Sequence, residues 1–312
     1  MITTSTITRH LTTTHAGFES QNLSPDAIAR AIWTIICEPG DQQAGELINA
    51  VGAADALTLL YQGEDTAAGI DLTDLRARVL PRVVDSAIAS AFATAAKIGA
   101  VLITPEHPHW PAGFADLGTS TPHALWARGN TALLAAQPSI AVVGARAATG
   151  YGEHVCMEIV AGLVNHGHTI VSGAAYGIDG MAHRAALASN GQTVAYLAGG
   201  IDRFYPAGHD ALLERIAEVG VVASEASCGQ APTKWRFLMR NRLIAAGSNA
   251  TLGVEAGYRS GALNIAGHAA ALGRPLGAVP GPVTSPTSSG CHRLIKETGA
   301  RIITDATDAA EL

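Results

Sequence analysis

The chain has 312 residues, 48% of them apolar and only 15% charged, which suffices for about two domains with a substantial core and argues against a disordered polymer. Its net charge of −6 excludes a general polycation, and that charge is uneven: residues 1–130 hold 7 Lys/Arg against 13 Asp/Glu, whereas residues 131–312 hold 13 of each. Any anion-binding surface is therefore a local cluster in the second part.

In chain order, the Thr/Ser-rich residues 1–20 read as a flexible N-terminus. Ser24-Pro25-Asp26 is a helix start, with a Ser cap, Pro in the first turn and an acid at the positive end of the dipole. A helix over 27–37 follows, then two short helices over 45–51 and 53–61, and one or two more over 72–99 interrupted near Pro81. Together, residues 21–104 make a small helical domain ending in a strand over 101–104. The Pro-rich run Pro105-Glu106-His107-Pro108-His109-Trp110-Pro111 places a linker over 105–135. The apolar region 83–103 carries Asp85 and Lys97 and reads as a helix followed by a strand, not a membrane span.

From Ser139 onward the pattern changes. Strands are expected over 140–144, 169–172, 193–198, 221–224, 251–255, 276–279 and 301–304. Helices are expected between most of them, over 152–165, 177–189, 211–219, 237–246, 261–272 and 292–297. This alternation predicts βαβ units, a parallel sheet with helices on both faces, and a ligand edge where the glycine turns gather at the strand C-termini.

Four segments at that edge carry candidate chemistry. Gly144-Ala145-Arg146, leading to Gly150-Tyr151-Gly152, can hold a phosphate on backbone amides and a guanidinium, or be a plain tight turn. The pattern is not G-x-G-x-x-G and lacks an acid for a ribose hydroxyl, so a dinucleotide cofactor is disfavoured. Ser172-Gly173 with Gly177-Ile178-Asp179 forms a second turn; Asp179 can cap the helix or meet a ligand hydroxyl, and His183 lies one helical turn beyond it. Gly199-Gly200-Ile201-Asp202-Arg203-Phe204-Tyr205-Pro206 offers Arg203 and Tyr205. Lys234-Trp235-Arg236-Phe237-Leu238-Met239-Arg240-Asn241-Arg242 packs four cations and two rings into nine residues, and no Asp or Glu occurs from Ala226 to Val254. Cations for phosphates interleaved with rings for bases suit single-stranded nucleic acid; the alternative is a basic helix start whose rings are core. Either Trp235 or Phe237 is the stacking ring on the first reading.

Other signals are weaker. Ser260-Gly261 can offer a hydroxyl and an amide to a phosphate. Cys37, Cys156, Cys228 and Cys291 form no C-x-x-C pair, which gives zinc no support and fits a reducing compartment. Adjacent Cys291 and His292 do not make a catalytic dyad, and His107 with His109 lack a third metal ligand. Met1-Ile2-Thr3-Thr4-Ser5-Thr6 does not open a secretory signal, so a cytoplasmic protein without a metal or a cofactor is expected.

The order of these motifs resembles the DprA/Smf family of bacterial DNA-processing proteins. The resemblance rests on Val142-Val143-Gly144-Ala145-Arg146, Val171-Ser172-Gly173 with Gly177-Ile178-Asp179, Gly200-Ile201-Asp202 with Tyr205-Pro206, Arg240-Asn241-Arg242-Leu243-Ile244-Ala245, Arg259-Ser260-Gly261-Ala262-Leu263 and Val279-Pro280-Gly281. It implies an extended Rossmann-like domain over 136–312, preceded by a helical region of the sterile-alpha-motif or helix-hairpin-helix kind. It further implies binding of single-stranded DNA without catalysis, protection of incoming strands in natural transformation, help in loading RecA, and a homodimer. The winged-helix domain that many members carry is expected to be absent. The DNA-binding residues expected are Gly144, Arg146, Ser172, Gly173, Arg203, Lys234, Arg236, Phe237, Arg240, Asn241, Arg242, Ser260 and Gly261. Three positions depart from the family pattern: Tyr176 stands where Arg is usual, Leu238 replaces a proline, and His292 stands where Asn is usual. An alternative of another class is a nucleotide-processing enzyme similar to the cytokinin-activating phosphoribohydrolases, with Glu255 acting on a ribosyl group.

Overall fold

The computed structural model describes residues 18, 21–62 and 65–312. The flexible N-terminus expected over 1–20 lies outside the described residues except for Phe18, which is buried.

Helix α1 (Pro25–Ile36) starts as its sequence dictates, with the Ser24 side chain accepting from the Ala27 amide. Asp26 pairs with Arg30 and also accepts from the amides of Ala53 and Ala54, fixing the start of α3 (Ala53–Gln62) beyond α2 (Gln42–Val51). A two-residue hairpin, β1 (Thr66–Ala67) with β2 (Ile70–Asp71), precedes α4 (Thr73–Val79) and α5 (Asp85–Lys97). That hairpin carries no hydrophobic period long enough to be read from sequence.

A nine-stranded sheet follows. Its members are β3 (Val101–Ile103), β4 (Leu125–Gly129), β5 (Ser139–Gly144), β6 (Thr169–Ser172), β7 (Thr193–Leu197), β8 (Val221–Ser224), β9 (Ala250–Glu255), β10 (Leu276–Ala278) and β11 (Arg301–Ile302). Their spatial order is β11-β10-β9-β5-β6-β7-β8-β4-β3. The strands from β5 to β11 run parallel, while β4 is antiparallel to β8 and β3 to β4. The segment 105–135, expected as a linker, thus contains a strand whose Trp126 pairs with Ser224.

Along β5 the side chains alternate: Ile140 and Val142 pack with α6 (Gly150–Asn165) and α7 (Ile178–Ala188), whereas Ala141 and Val143 pack with α9 (Lys234–Ala246) and α10 (Gly261–Ala271). Helix α8 (Asp210–Val219) joins the helical region on a core of its own. That third core holds Phe18, Trp33, Phe92 and Trp126 together with Leu197, Val222 and Leu213 from the sheet side. Phe18, Phe92 and Trp126 meet edge to face at 5.5–6.0 Å, and Trp126 Nε1 donates to Thr34 Oγ1 at 3.0 Å. The chain ends in a short α11 (Ser289–Arg293), a wide turn to Gly299, and α12 (Ala306–Ala310). Among the described residues no single helix is long and apolar enough to cross a membrane.

Connections leave β5 toward β6 on one side, while β9 flanks it on the other. That reversal opens a crevice outside the carboxyl ends of β5, β6 and β9, the place where open α/β sheets hold ligands.

Candidate nucleic-acid interface

The crevice is built from turns that only small residues permit. Gly177 has φ +75°, and a Cβ there would stand 2.1 Å from the Ala145 carbonyl oxygen. This contact, with the Ile178 amide donating to Ala145 O at 3.1 Å, locks the β6–α7 turn onto the loop that carries Arg146. The other flank is pinned by Glu255. Its two carboxylate oxygens accept from the Thr149 amide at 2.9 Å and the Thr149 hydroxyl at 2.8 Å, so Glu255 braces the start of α6.

The floor is Arg240. This buried guanidinium donates through Nη1 to Gly173 O and Tyr196 O, both at 2.6 Å, tying the ends of β6 and β7 to α9. A side chain at 173 would collide with it, since a Cβ would lie 1.9 Å from Nη1. Burial pulls the Arg240 pKa down to about 10, against the attraction of Asp179. Asp179, also buried, has its carboxyl raised by burial, opposed by Arg240 and by the amides of Ala175, Gly144 and Gly173. It does not cap α7, whose cap position is Gly177 without a side-chain bond. Nor does it pair with His183, whose Nδ1 meets Thr193 Oγ1 at 2.7 Å.

Above the floor lies Phe237. The Arg146 guanidinium carbon sits 5.3 Å from its ring centroid and that of Arg240 5.8 Å, while Tyr205 approaches edge-on at 5.6 Å. Arg146 and Lys234 are exposed on the rim. Lys234 and Gly261 open α9 and α10, so two positive helix ends face the same groove. The groove encloses about 820 Å³.

Of the residues expected from sequence, Gly144, Arg146, Lys234, Phe237, Arg240, Asn241, Ser260 and Gly261 line this groove. Asn241 donates to Asn264 Oδ1 at 2.9 Å, and Ser260 Oγ accepts from the Ala262 amide as a helix cap. Gly173 and Arg203 line an adjoining notch with Tyr205 and Phe237. Three expected contacts lie elsewhere. Arg242 is buried, its Nη2 donating to both oxygens of buried Glu225 at 2.8 Å. Arg236 turns the other way, to Glu38 at 3.0 Å and to Ala231 O. Ser172 is fully buried and donates to Val142 O at 2.7 Å, holding β6 to β5. The missed residue is Arg259, exposed at the groove mouth on the turn after β9; its adjacency to Ser260-Gly261 was the available signal.

No group of three His, Cys, Asp or Glu side chains among the described residues is arranged for a metal ion. Cys291 is buried, with its thiol pushed up to about 11 by burial, which makes it a poor nucleophile.

The family described as DNA recombination-mediator protein A matches residues 101–312. The chain belongs to this family. A putative DNA processing protein DprA of Mycobacterium tuberculosis (strain ATCC 25618 / H37Rv) is 45% identical over 300 residues, spanning 93% of this chain and 75% of that one. The DprA of Streptococcus pneumoniae (strain ATCC BAA-255 / R6) is 40% identical over 187 residues, 60% of this chain and 65% of that one. Among solved structures, DNA processing protein A of Streptococcus pneumoniae superposes with a TM-score of 0.74 at 30% identity, covering 92% of this chain and 97% of that chain. DNA processing protein A of Helicobacter pylori, described for a unique single-stranded DNA binding mode, superposes with a TM-score of 0.61 at 28% identity, covering 67% of this chain and 94% of that chain.

Proposed function

We propose that this DprA-family chain binds single-stranded DNA in the groove between the ends of β5, β6 and β9, holding the strand without chemistry on it. The observation that carries the reading is the Phe237 ring flanked by Arg146 and Arg240 inside a groove rimmed by Lys234 and Arg259. A ring that stacks any base beside cations that meet any phosphate favours sequence-independent binding of an unpaired strand. Assistance to RecA loading during recombination and natural transformation, a homodimeric state and a cytoplasmic location are the finer parts of the proposal, and family membership supports them.

Fluorescence anisotropy with labelled oligo-dT in a salt series tests the groove. Affinity should fall with a log–log slope near −0.7 per phosphate neutralised. Arg146→Ala with Lys234→Ala should lower affinity for all base compositions and flatten that slope. Phe237→Ala should remove about 1–3 kcal/mol. A double variant that binds like the parent, with the same slope, would place the strand elsewhere.

A further inference from the structure

Helix α9 has two faces at its first turn. Lys234 and Phe237 line the groove, whereas Trp235 lines a separate cleft of about 450 Å³ between α9 and the helical region. Trp235 is 51% exposed, and Trp33 and Trp126 are fully buried. The cleft walls are apolar at Ile36, Pro39 and Val79 and cationic at Arg78 and Arg82. Residues 1–130 are acidic overall, with 7 Lys/Arg, yet three of those seven fall at Arg76, Arg78 and Arg82. Arg78 and Arg82 line the cleft beside the groove helix, whereas Arg76 lies in a separate surface pocket with Asp65. Arg78 donates through Nη2 to Asp41 and Gln43, and Arg82 through Nη1 to Glu38. Each guanidinium has five N–H donors, so both pairings leave donors for a phosphate.

We propose that the cleft is a second base site for the same single strand, which leaves the groove over the first turn of α9, stacks a base on Trp235 and sets phosphates against Arg78 and Arg82. The inference rests on the groove reading above. Continuity supports it: Lys234 and Trp235 are consecutive, so groove and cleft are separated by one helix, about 10 Å across. The lining balances Arg78 and Arg82 against Glu38 and Asp41, and the Arg236 guanidinium, which shares Glu38 with Arg82, adds a third cation to that network.

The test is a ladder of oligo-dT lengths, from a few nucleotides upward, read by anisotropy and by tryptophan emission. The parent should bind short oligomers through the groove and show a step to tighter binding, with quenching of Trp235, once the strand spans the helix. Trp235→Ala should abolish the step, a loss of about 5- to 150-fold for one stacked base, while leaving the shortest oligomers unchanged. Trp235→Phe should keep the step. Arg78→Ala with Arg82→Ala should flatten the salt slope for long oligomers only. A parent that binds without a length step, or a Trp235→Ala variant that keeps it or weakens all lengths equally, overturns the second site while the groove stands. A cleft that takes a protein segment instead gives the first of these results. A parent that binds no length overturns the groove reading and this one with it.

Discussion

Arg240 and Arg242 are two residues apart in sequence and have opposite surroundings. Arg240 braces strand ends under the groove, while Arg242 is sealed against Glu225 with side-chain exposures of 3% and 6%. Removing one member of a sealed pair strands the other charge in a medium that solvates it poorly. Arg242→Ala should therefore destabilise the fold by about 3–5 kcal/mol in urea denaturation, and Arg242→Met combined with Glu225→Leu should recover much of that loss. An Arg242→Ala protein as stable as the parent would show that the pair contributes nothing. Linear sequence could not separate these two arginines. Both lie in a basic run with rings, and the discriminating fact is Glu225, which sits on the far side of a strand end. Arg236 was hidden in the same way by Glu38, a residue 198 positions away.

At the scale of elements, the parallel strands were legible because strands covered on both faces are continuous apolar runs bounded by glycine turns. The strands over 169–172 and 221–224 match the expected bounds. Strand β4 was not legible. It is five residues long, follows a Pro-rich stretch, and gains its place through pairing with β8 nearly a hundred residues on. Phe18 was unreadable for a related reason, since one ring in a Thr/Ser-rich segment gives no periodic signal, and its core comes from residues far along the chain, Phe92 and Trp126 among them. The groove itself is held by turn contacts. Gly177→Ala combines a positive φ with a collision at the Ala145 carbonyl. It should lower stability by more than about 1 kcal/mol and weaken oligo-dT binding by shifting the Arg146 loop. Unchanged melting and binding would show that the turn relaxes without disturbing its neighbour.

For the whole molecule, acid sensitivity follows from histidines buried as neutral rings. The Thr193 hydroxyl donates to Ile170 O, so His183 Nδ1 is the donor to Thr193 Oγ1, and Nε2 is a buried acceptor with no partner among the described residues. Burial, with His209 and Arg240 nearby, lowers the His183 pKa from 6.5 to about 3. Burial, with Arg30 and Arg242 nearby, does the same for His123 in the segment between β3 and β4. A base whose folded pKa is depressed binds its proton first in the unfolded chain. Stability should be complete above pH 6.5 and fall as pH drops toward 3, by up to about 1.4 kcal/mol per pH unit for each ring. Urea denaturation across a pH series checks the slope, and His183→Asn should reduce it by one proton. An identical slope in that variant would remove His183 as its source.

The single guanidinium of Arg240 that grips two strand ends has a consequence for how a strand is received. Because Arg240 already engages Gly173 O and Tyr196 O, the platform under Phe237 is braced by bonds made within the chain itself. The entropic penalty of complex formation then falls mainly on the limp guest rather than on its host.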